Sequence, residues 1–350
     1  MNKHLAIALA LSVSAIAISA QQPRVSETQF NTEPVGAGLS ATVTRFQHSN
    51  QQLWIGYEVP SLPRHNSSSC SDSNGSNDDG CCSEYRLEGS RDSVADASQK
   101  AEPGRTYVLL RVDQGAITKV RSANAGCRLN AGGVPFTWLT GVQPDDSVHY
   151  LAQLATQPSN QNRVTEGALA ALAMHATPAA TTELTSLATS SSTPRLREKA
   201  AFWLGAERGH DGLLALQKLV KTEQDPKLRE KLAFDISINK DPAATDELLA
   251  LAKNDTNPGV RSQAIFWLGQ KAGKKATAAI TNAIENDPEQ QVKKKAVFAL
   301  SQLPKDEGVP QLIHVADTNT NPAVRKDAFF WLGQSGDPRA LAYLESVLKR

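Results

Sequence analysis

An internal repeat of 32 residues governs the second half of this 350-residue chain. Each copy carries a basic residue, and a phenylalanine follows five residues later in all five copies. The basic column consists of Arg197, Arg229, Arg261, Lys293 and Arg325. The aromatic column consists of Phe202, Phe234, Phe266, Phe298 and Phe330. A register kept without drift over five copies predicts stacked structural units rather than one globular core.

Each repeat has two halves with apolar residues at helical spacing. In the fourth copy Val260, Ala264 and Leu268 share one helix face, and Ile280 and Ile284 mark the second half. An Asp or Asn precedes a proline at the start of three copies, as an N-cap residue precedes proline at the first helical position. These pairs are Asp225-Pro226, Asn257-Pro258 and Asn321-Pro322. The unit is therefore predicted to be a helix, a short turn and a second helix.

The array gains a weaker first copy when the register is stepped back by one period, to Ala168, Leu172 and Leu184. One hairpin cannot bury its apolar faces alone, whereas stacked copies bury them against each other. We therefore expect an α-solenoid of about six repeats over residues 147–350. Near the end of the first helix we expect Gly269 and Gly333 to permit the turn.

The pattern resembles HEAT repeats of the short bacterial type named after phycobilisome lyases. The residues that carry the resemblance are Val260-Arg261, Ala264, Leu268-Gly269, Val324-Arg325, Ala328, Leu332-Gly333 and Gly336-Asp337-Pro338-Arg339-Ala340. The resemblance implies the fold from about Val164 onward. It implies no single activity, because repeats of this type occur in scaffolds, lyases and a hydroxylase.

A HEAT-repeat enzyme is the alternative to a scaffold. Deoxyhypusine hydroxylase, the metal-dependent member of this group, is known for repeated His-Glu pairs, and here none of the seven histidines is followed by Glu. That absence disfavours a di-iron site, although it does not exclude a lyase. The chain also lacks Gly-x-Ser-x-Gly and His-Glu-x-x-His motifs. The sequence therefore predicts no catalytic residue, metal ligand or cofactor.

The first twenty residues read as a secretory signal peptide. Lys3 and His4 precede an apolar run from Leu5 to Ile18, and small residues precede Gln21. The run is shorter than the roughly 20 residues that span a bilayer. An N-terminal membrane anchor is the alternative. We therefore expect a periplasmic or secreted protein with no transmembrane segment after cleavage.

Export predicts disulfide bonds, and the chain has four cysteines, all before the repeats. These are Cys70, Cys81, Cys82 and Cys127. A bond between adjacent cysteines strains the peptide, so Cys70 and Cys127 are each expected to pair with Cys81 or Cys82. A metal site is the alternative, but no histidine stands next to any of the four.

Residues 21–146 are predicted to form a small β domain stapled by these bonds. Alternating or β-branched segments suggest strands at Ser40–Phe46, Gln52–Val59, Tyr107–Val112 and Ala116–Arg121. A long loop, Pro63–Ser83, holds three of the cysteines. The chain should turn helical at about Val148 and lead into the solenoid. The fold class is therefore α+β, mainly α.

Three groups of residues are candidates for function. The tryptophans of alternate copies either pack in the core or anchor a partner; they are Trp203, Trp267 and Trp331. A lysine patch is either a solvated face or a binding site; it comprises Lys271, Lys274, Lys275 and Lys293–Lys295. The basic column either bonds to neighbouring Asp and backbone groups or forms a ligand-binding ladder. Asp145 and Asp146 are expected to cap a helix rather than act as a carboxylate pair.

Charge narrows the range of partners. Lys and Arg number 37 and Asp and Glu number 36, so the chain lacks the basic surplus that nucleic-acid binding requires. We therefore expect a protein partner rather than nucleic acid. A binding scaffold is the leading interpretation, and a recognition domain for an envelope enzyme encoded elsewhere is a third.

Overall fold

The computed structural model describes residues 22–63, 80–82, 84–89, 95–157, 162–271 and 273–349. The N-terminal part of this range is rich in strands, and helices follow it to the end. The α+β, mainly α fold class is thereby confirmed. None of the helices in the described ranges is both long and apolar enough to cross a membrane.

The N-terminal part contains ten strands and the first two helices of the described chain. In chain order these are β1 (Val25–Ser26), β2 (Phe30–Pro34), α1 (Leu39–His48), β3 (Leu53–Pro60), β4 (Gly80–Cys82), β5 (Tyr85–Arg86), β6 (Ala95–Lys100), β7 (Arg105–Asp113), β8 (Ala116–Asn124), β9 (Leu129–Asn130), β10 (Phe136–Thr140) and α2 (Pro144–Thr156). The predicted strands at residues 52–59, 107–112 and 116–121 correspond to β3, β7 and β8. The predicted loop at residues 63–83 lies largely outside the described residues, and the described residues 80–82 form strand β4 instead of loop.

The main sheet has five strands in the order β2-β10-β3-β7-β8. β3, β7 and β8 pair in antiparallel fashion, and β10 runs parallel to β2 and β3. Gln114 and Gly115 join β7 to β8 with φ angles of 48° and 74°, as a tight hairpin turn requires. Two smaller groups, β1-β9-β5 and β4-β6, complete the strand-rich part.

The predicted strand at Ser40–Phe46 is wrong, because this segment lies in helix α1. Its β-branched threonines and valine suggested a strand. The buried residues, however, are Leu39, Thr42, Val43 and Phe46, which lie three to four apart and share one helix face. Burial of that face against the sheet decides the conformation over local propensity.

Six helical hairpins follow, as the repeat predicted. The first helices are α3 (Asn162–Met174), α5 (Pro194–Glu207), α7 (Pro226–Ile238), α9 (Pro258–Gly269), α11 (Gln290–Gln302) and α13 (Pro322–Gln334). The second helices are α4 (Pro178–Ser190), α6 (Gly209–Thr222), α8 (Ala244–Asn254), α10 (Lys274–Asn286), α12 (Lys305–Thr318) and α14 (Pro338–Leu348).

The predicted caps were right in the repeats and wrong before them. The side chains of Asp225, Asn257 and Asn321 accept hydrogen bonds from the first turns of α7, α9 and α13. Asp145 and Asp146, in contrast, lie inside the first turn of α2 and do not cap it. There their negative charge favours the helix N-terminus, and Asp145 accepts a hydrogen bond from the Thr177 hydroxyl at 2.6 Å.

The sheet and the first repeat share one core. Residues of β7 and β8 pack in the same cluster as residues of α2 and α3. Gly167 of α3 lies against β8 so closely that a Cβ there would be 2.4 Å from the carbonyl oxygen of Val120. The strand-rich part therefore caps the solenoid. A second cluster, which includes Trp54, Tyr107 and Phe136, forms a separate small core.

Small residues near the ends of the first helices also let successive first helices approach closely. A Cβ at Gly205 would lie 2.2 Å from the carbonyl oxygen of Asp235, and one at Gly269 would lie 2.9 Å from the Cβ of Ala299. Successive first helices contact each other more extensively than successive second helices.

Candidate functional site

Eight aromatic side chains form a row across the first helices of the last five repeats, which we call the aromatic ridge. Its members are Phe202, Trp203, Phe234, Phe266, Trp267, Phe298, Phe330 and Trp331. All of them except Phe330 are partly buried, and Phe330 is 56% exposed. The ridge exists because each of these five copies places a phenylalanine at the same register position of its first helix, and three copies place a tryptophan next to it.

The rings of the aromatic ridge contact each other from repeat to repeat. Phe202 stacks on Phe234 with centroids 6.3 Å apart, and Phe266 stacks on Phe298 at 6.0 Å. A tryptophan connects one stacked pair to the next, because the ring centroid of Trp267 lies 4.8 Å from that of Phe234. Trp331 lies 4.9 Å from Phe298 in the same way. The ridge is therefore continuous from Phe202 to Phe330.

The predicted alternatives for the tryptophans prove to be compatible. Trp203, Trp267 and Trp331 pack against the core and remain partly exposed at the same time. Asp235 occupies the equivalent position in the third repeat, where only 3% of it is exposed. Burial, followed by the nearby carboxylate of Glu198, raises the pKa of Asp235 well above its usual value.

Lysines accompany the C-terminal half of the ridge. The Lys295 Nζ lies 5.2 Å from the ring centroid of Phe266 and 5.6 Å from that of Phe298. Lys294 and Lys326 each precede a ridge phenylalanine by four residues and so share its helix face. Both are exposed, and neither forms an ion pair within the described part of the chain.

Carboxylates neutralise the cations beside the N-terminal half. Glu166 pairs with Lys199 at 2.6 Å and with Arg195 at 3.4 Å. Glu198 pairs with Lys231 of the next repeat at 2.5 Å. The two halves of the aromatic ridge therefore differ in charge although their rings are alike.

Only Lys294 and Lys295 of the predicted lysine patch lie beside the aromatic ridge. Lys271, Lys274 and Lys275 occupy the turn between α9 and α10 and the start of α10. Lys275 forms an exposed ion pair with Asp246 at 2.9 Å. The Lys293 Nζ donates to the backbone oxygen of Glu285 at 2.8 Å. The predicted patch is therefore not one surface. Its lysines lie at the turn before α10, at the Glu285 carbonyl and beside the aromatic ridge.

The basic column makes mostly internal contacts. Arg229 bonds Asp255 through two nitrogens at 3.0 and 3.2 Å, and Arg197 pairs with Glu223. Arg325 donates to the backbone oxygen of Asn319 at 2.7 Å. Arg261 and Lys293 likewise bond side-chain or backbone oxygens. These contacts join the connectors between repeats and leave the column little capacity for an outside ligand.

Ser147 and His175 form a hydrogen-bonded pair that no sequence pattern indicates, because the two residues are 28 positions apart and no motif joins them. The Ser147 Oγ lies 2.9 Å from Nε2 of His175 and 2.8 Å from the hydroxyl of Tyr57. Ser147 and His175 are both fully buried. Burial lowers the pKa of His175 to about 4. The pair joins the sheet to the first repeat and offers a substrate no access.

The described residues contain no group of three or more His, Cys, Asp or Glu side chains placed to hold a metal ion. An open groove of about 600 Å³ lies between α10 and α12. Its lining includes the carboxylates of Glu285, Asp306 and Glu307, and Glu307 accepts hydrogen bonds from the Gly273 backbone nitrogen and the Thr277 hydroxyl, both at 3.2 Å. Cys127 is fully buried and carries no free thiol. The side chains of Cys70, Cys81 and Cys82 lie outside the described residues, so the predicted pairing stays a prediction.

The match to a family model agrees with the repeat architecture. The family model for HEAT repeats matches residues 181–269 and 277–350, so the C-terminal region consists of HEAT repeats. Human deoxyhypusine hydroxylase, solved with glycerol, is 18% identical over 58% of this chain and 90% of its own, with a TM-score of 0.29. The CpcE–CpcF complex of phycocyanin lyase from Nostoc is 22% identical over 44% of this chain and 98% of its own, with a TM-score of 0.34. No curated protein matches the chain.

Proposed function

We propose that this solenoid of HEAT repeats is a non-catalytic scaffold that binds another protein outside the cytoplasm, in the periplasm or after secretion. The observation that carries the proposal is the aromatic ridge, which runs unbroken over five repeats and stays partly exposed. Contiguous apolar surface rimmed by polar groups marks interaction sites, and repeat solenoids bind partners along such extended faces.

The polar groups of the described chain favour binding over chemistry. Ser147 and His175, the serine–histidine pair noted above, bond to each other and are closed to solvent. The arginines of the basic column use their donors on connectors between repeats. An enzyme of the lyase or hydroxylase kind would need a convergent set of reactive groups.

The placement outside the cytoplasm rests on the sequence of residues 1–20 and on the four cysteines. The test is fractionation of the native host followed by N-terminal sequencing of the protein. We expect the mature chain to begin near Gln21 and to leave the cytoplasm. Retention of an intact N-terminus in the cytoplasmic fraction would contradict this part of the proposal.

The binding role is tested by crosslinking the intact protein in an envelope extract, identifying the partner, and rebuilding the complex from purified components. Isothermal titration should give a defined stoichiometry with the identified partner. Elemental analysis of the purified protein is the parallel test, since stoichiometric iron would favour a hydroxylase and contradict a purely binding role.

A further inference from the structure

The charge beside the aromatic ridge reverses along the solenoid at one register position. Four residues before each ridge phenylalanine, and at the equivalent place in the first repeat, the side chain changes from acidic to neutral to basic. The column reads Glu166, Glu198, Glu230, Ser262, Lys294 and Lys326. A property that changes sign along otherwise equivalent copies is not demanded by packing of the repeat itself. It gives the two ends of one ridge different electrostatic surfaces.

The neutral member of this column explains the position of Lys295. In the second and third repeats the lysine at the equivalent position pairs with the glutamate of the preceding copy, as Lys199 does with Glu166 and Lys231 with Glu198. For Lys295 the residue equivalent to those glutamates is Ser262, which carries no carboxylate, and the Lys295 Nζ lies over the rings of the ridge. The cation is thereby held on the aromatic surface.

The charges at these register positions beside the C-terminal half of the aromatic ridge sum to a positive value. Asp327 is the only carboxylate at these two register positions in the last two repeats, and three lysines, Lys294, Lys295 and Lys326, accompany it. The Oδ2 of Asp327 is buried and has no hydrogen-bond partner in the described structure. Lysines beside partly exposed rings attract an anionic partner that also buries apolar side chains.

Spacing limits the form of that partner. Neighbouring helices lie about 10 Å apart, and an extended segment of polyproline II type advances about 3.1 Å per residue with about three residues per turn. One repeat therefore corresponds to about three residues of such a segment, and every third side chain lies on the same face. Three lysines are few for a nucleic-acid backbone, whose binding depends on neutralising many phosphates.

The geometry points to an extended acidic protein segment, with an apolar side chain at about every third residue, as the ligand of the ridge between Phe266 and Phe330. This inference rests on the proposed scaffold function and specifies its binding site and partner chemistry. The apolar side chains lie against the rings, and the carboxylates face Lys294, Lys295 and Lys326.

The probe is a fluorescent peptide of four Glu-Asp-Leu triplets, measured by anisotropy with the full-length mature protein. One control peptide replaces each Leu with Ser, and a second replaces the acidic residues with Lys and Arg. We expect the first peptide to bind at least about tenfold more tightly than either control. Its affinity should also fall as salt is raised.

The protein variants separate the site from general charge. K294E/K295E/K326E should lower the affinity for the acidic leucine peptide at least about tenfold. The matched control K218E/K221E/K253E makes the same charge change on exposed lysines of α6 and α8 and should leave it within about twofold. Since Lys295 is partly buried, K294Q/K326Q serves as a milder variant at exposed positions, and thermal melts check that each variant is folded.

The inference is overturned if the acidic leucine peptide does not bind, if the serine or the basic peptide binds as tightly, or if the triple variant keeps full affinity. If a single-stranded nucleic acid of twelve nucleotides binds more tightly than the acidic leucine peptide, the inference is overturned in favour of nucleic acid. A partner identified by crosslinking that binds wild type and K294E/K295E/K326E equally would leave the scaffold in place and refute this site. If no partner is found and no peptide binds, both proposals fail.

Discussion

Arg261 binds Asp287 with two parallel hydrogen bonds, from Nε to Oδ2 at 2.7 Å and from Nη2 to Oδ1 at 3.0 Å. Its remaining nitrogen, Nη1, donates to the backbone oxygen of Asp255 at 2.9 Å. One guanidinium thus ties the connector that enters the fourth repeat to the connector that leaves it. Arg229 repeats the arrangement one copy earlier with Asp255, so the bonds form a chain across the middle of the solenoid.

Removal of this guanidinium should destabilise the solenoid. The side chains of Arg261 and Asp287 are only 9% and 6% exposed, so Arg261→Met leaves a nearly buried carboxylate unpaired. We expect a loss of about 2–4 kcal/mol in the free energy of unfolding. The matched control is Arg325→Met, which removes a single bond to the Asn319 carbonyl and should cost about 1 kcal/mol or less. Urea unfolding followed by circular dichroism compares the two, and equal losses would show that the paired carboxylate contributes nothing.

The small residues of the first helices give a second prediction, because one register position is crowded in the second repeat and open in the last described repeat. At Gly205 a new Cβ would lie 2.2 Å from the backbone oxygen of Asp235, whereas at Gly333 it would meet nothing within 4 Å. Gly205→Ala should therefore cost about 1–3 kcal/mol through overpacking. Gly333→Ala should gain up to about 1 kcal/mol from helix propensity.

Thermal melts of these two alanine variants provide the measurement. The same substitution at the same register position should shift the melting temperature in opposite directions. A similar shift in both variants would mean that the glycines serve the end of the helix, as the sequence alone suggested, rather than the approach of the next repeat.

The fold was predictable where one residue type recurs at a fixed position. The phenylalanine column set the period, and Asp225, Asn257 and Asn321 marked helix starts that the structure confirms. Helix α1 was not predictable from composition, since its threonines and valine favour a strand, and only burial against the sheet makes it helical. The reason for glycine at position 205 depends on the distance to the next helix, which no local pattern contains.

The candidate site was predictable in its parts and not in its arrangement. The tryptophans could be read from the repeat, but the contact of Trp267 with Phe234 one copy earlier depends on how the repeats stack. The change from Glu166 to Lys326 could have been found by aligning the copies on the phenylalanine. Its effect on the surface charge could be seen only from the ion pairs of the structure, which show which lysines are paired with a carboxylate.

The cysteines give a third prediction. If the protein is exported and its four cysteines are paired, thiol labelling of the unfolded, non-reduced protein should find no free thiol. Cys127 is fully buried, so labelling must follow unfolding. The reduced protein is the control and should label at all four positions. Two or more free thiols before reduction would refute the pairing of Cys70 and Cys127 with Cys81 and Cys82.

The fourth prediction concerns pH and the junction between the sheet and the first repeat. The Ala171 carbonyl can only accept a hydrogen bond, so Nδ1 of His175 donates to it at 2.9 Å. Nε2 then accepts from the Ser147 hydroxyl, and Ser147 accepts from the Tyr57 hydroxyl. The neutral imidazole satisfies every member of this buried chain, and a proton on Nε2 would break it.

Acid should therefore weaken the fold through His175. Burial, helped by the positive charge of Arg208 and opposed by Asp145, lowers its pKa from 6.5 to about 4 in the folded protein. Between these values the unfolded chain binds more protons than the folded one, so stability falls as pH drops from about 7 to about 4. The expected loss from pH 7.5 to pH 5 is about 2 kcal/mol.

Urea unfolding at about pH 7.5 and about pH 5 measures this loss in the wild type, in His175→Gln and in His314→Gln. A glutamine side chain cannot titrate, so the His175→Gln variant should show a smaller drop between the two pH values whatever its stability at the higher one. His314 is exposed on α12, and its replacement should leave the wild-type drop unchanged. An equal drop in wild type and His175→Gln would mean that acid acts elsewhere and that the buried chain from Tyr57 to His175 tolerates a proton.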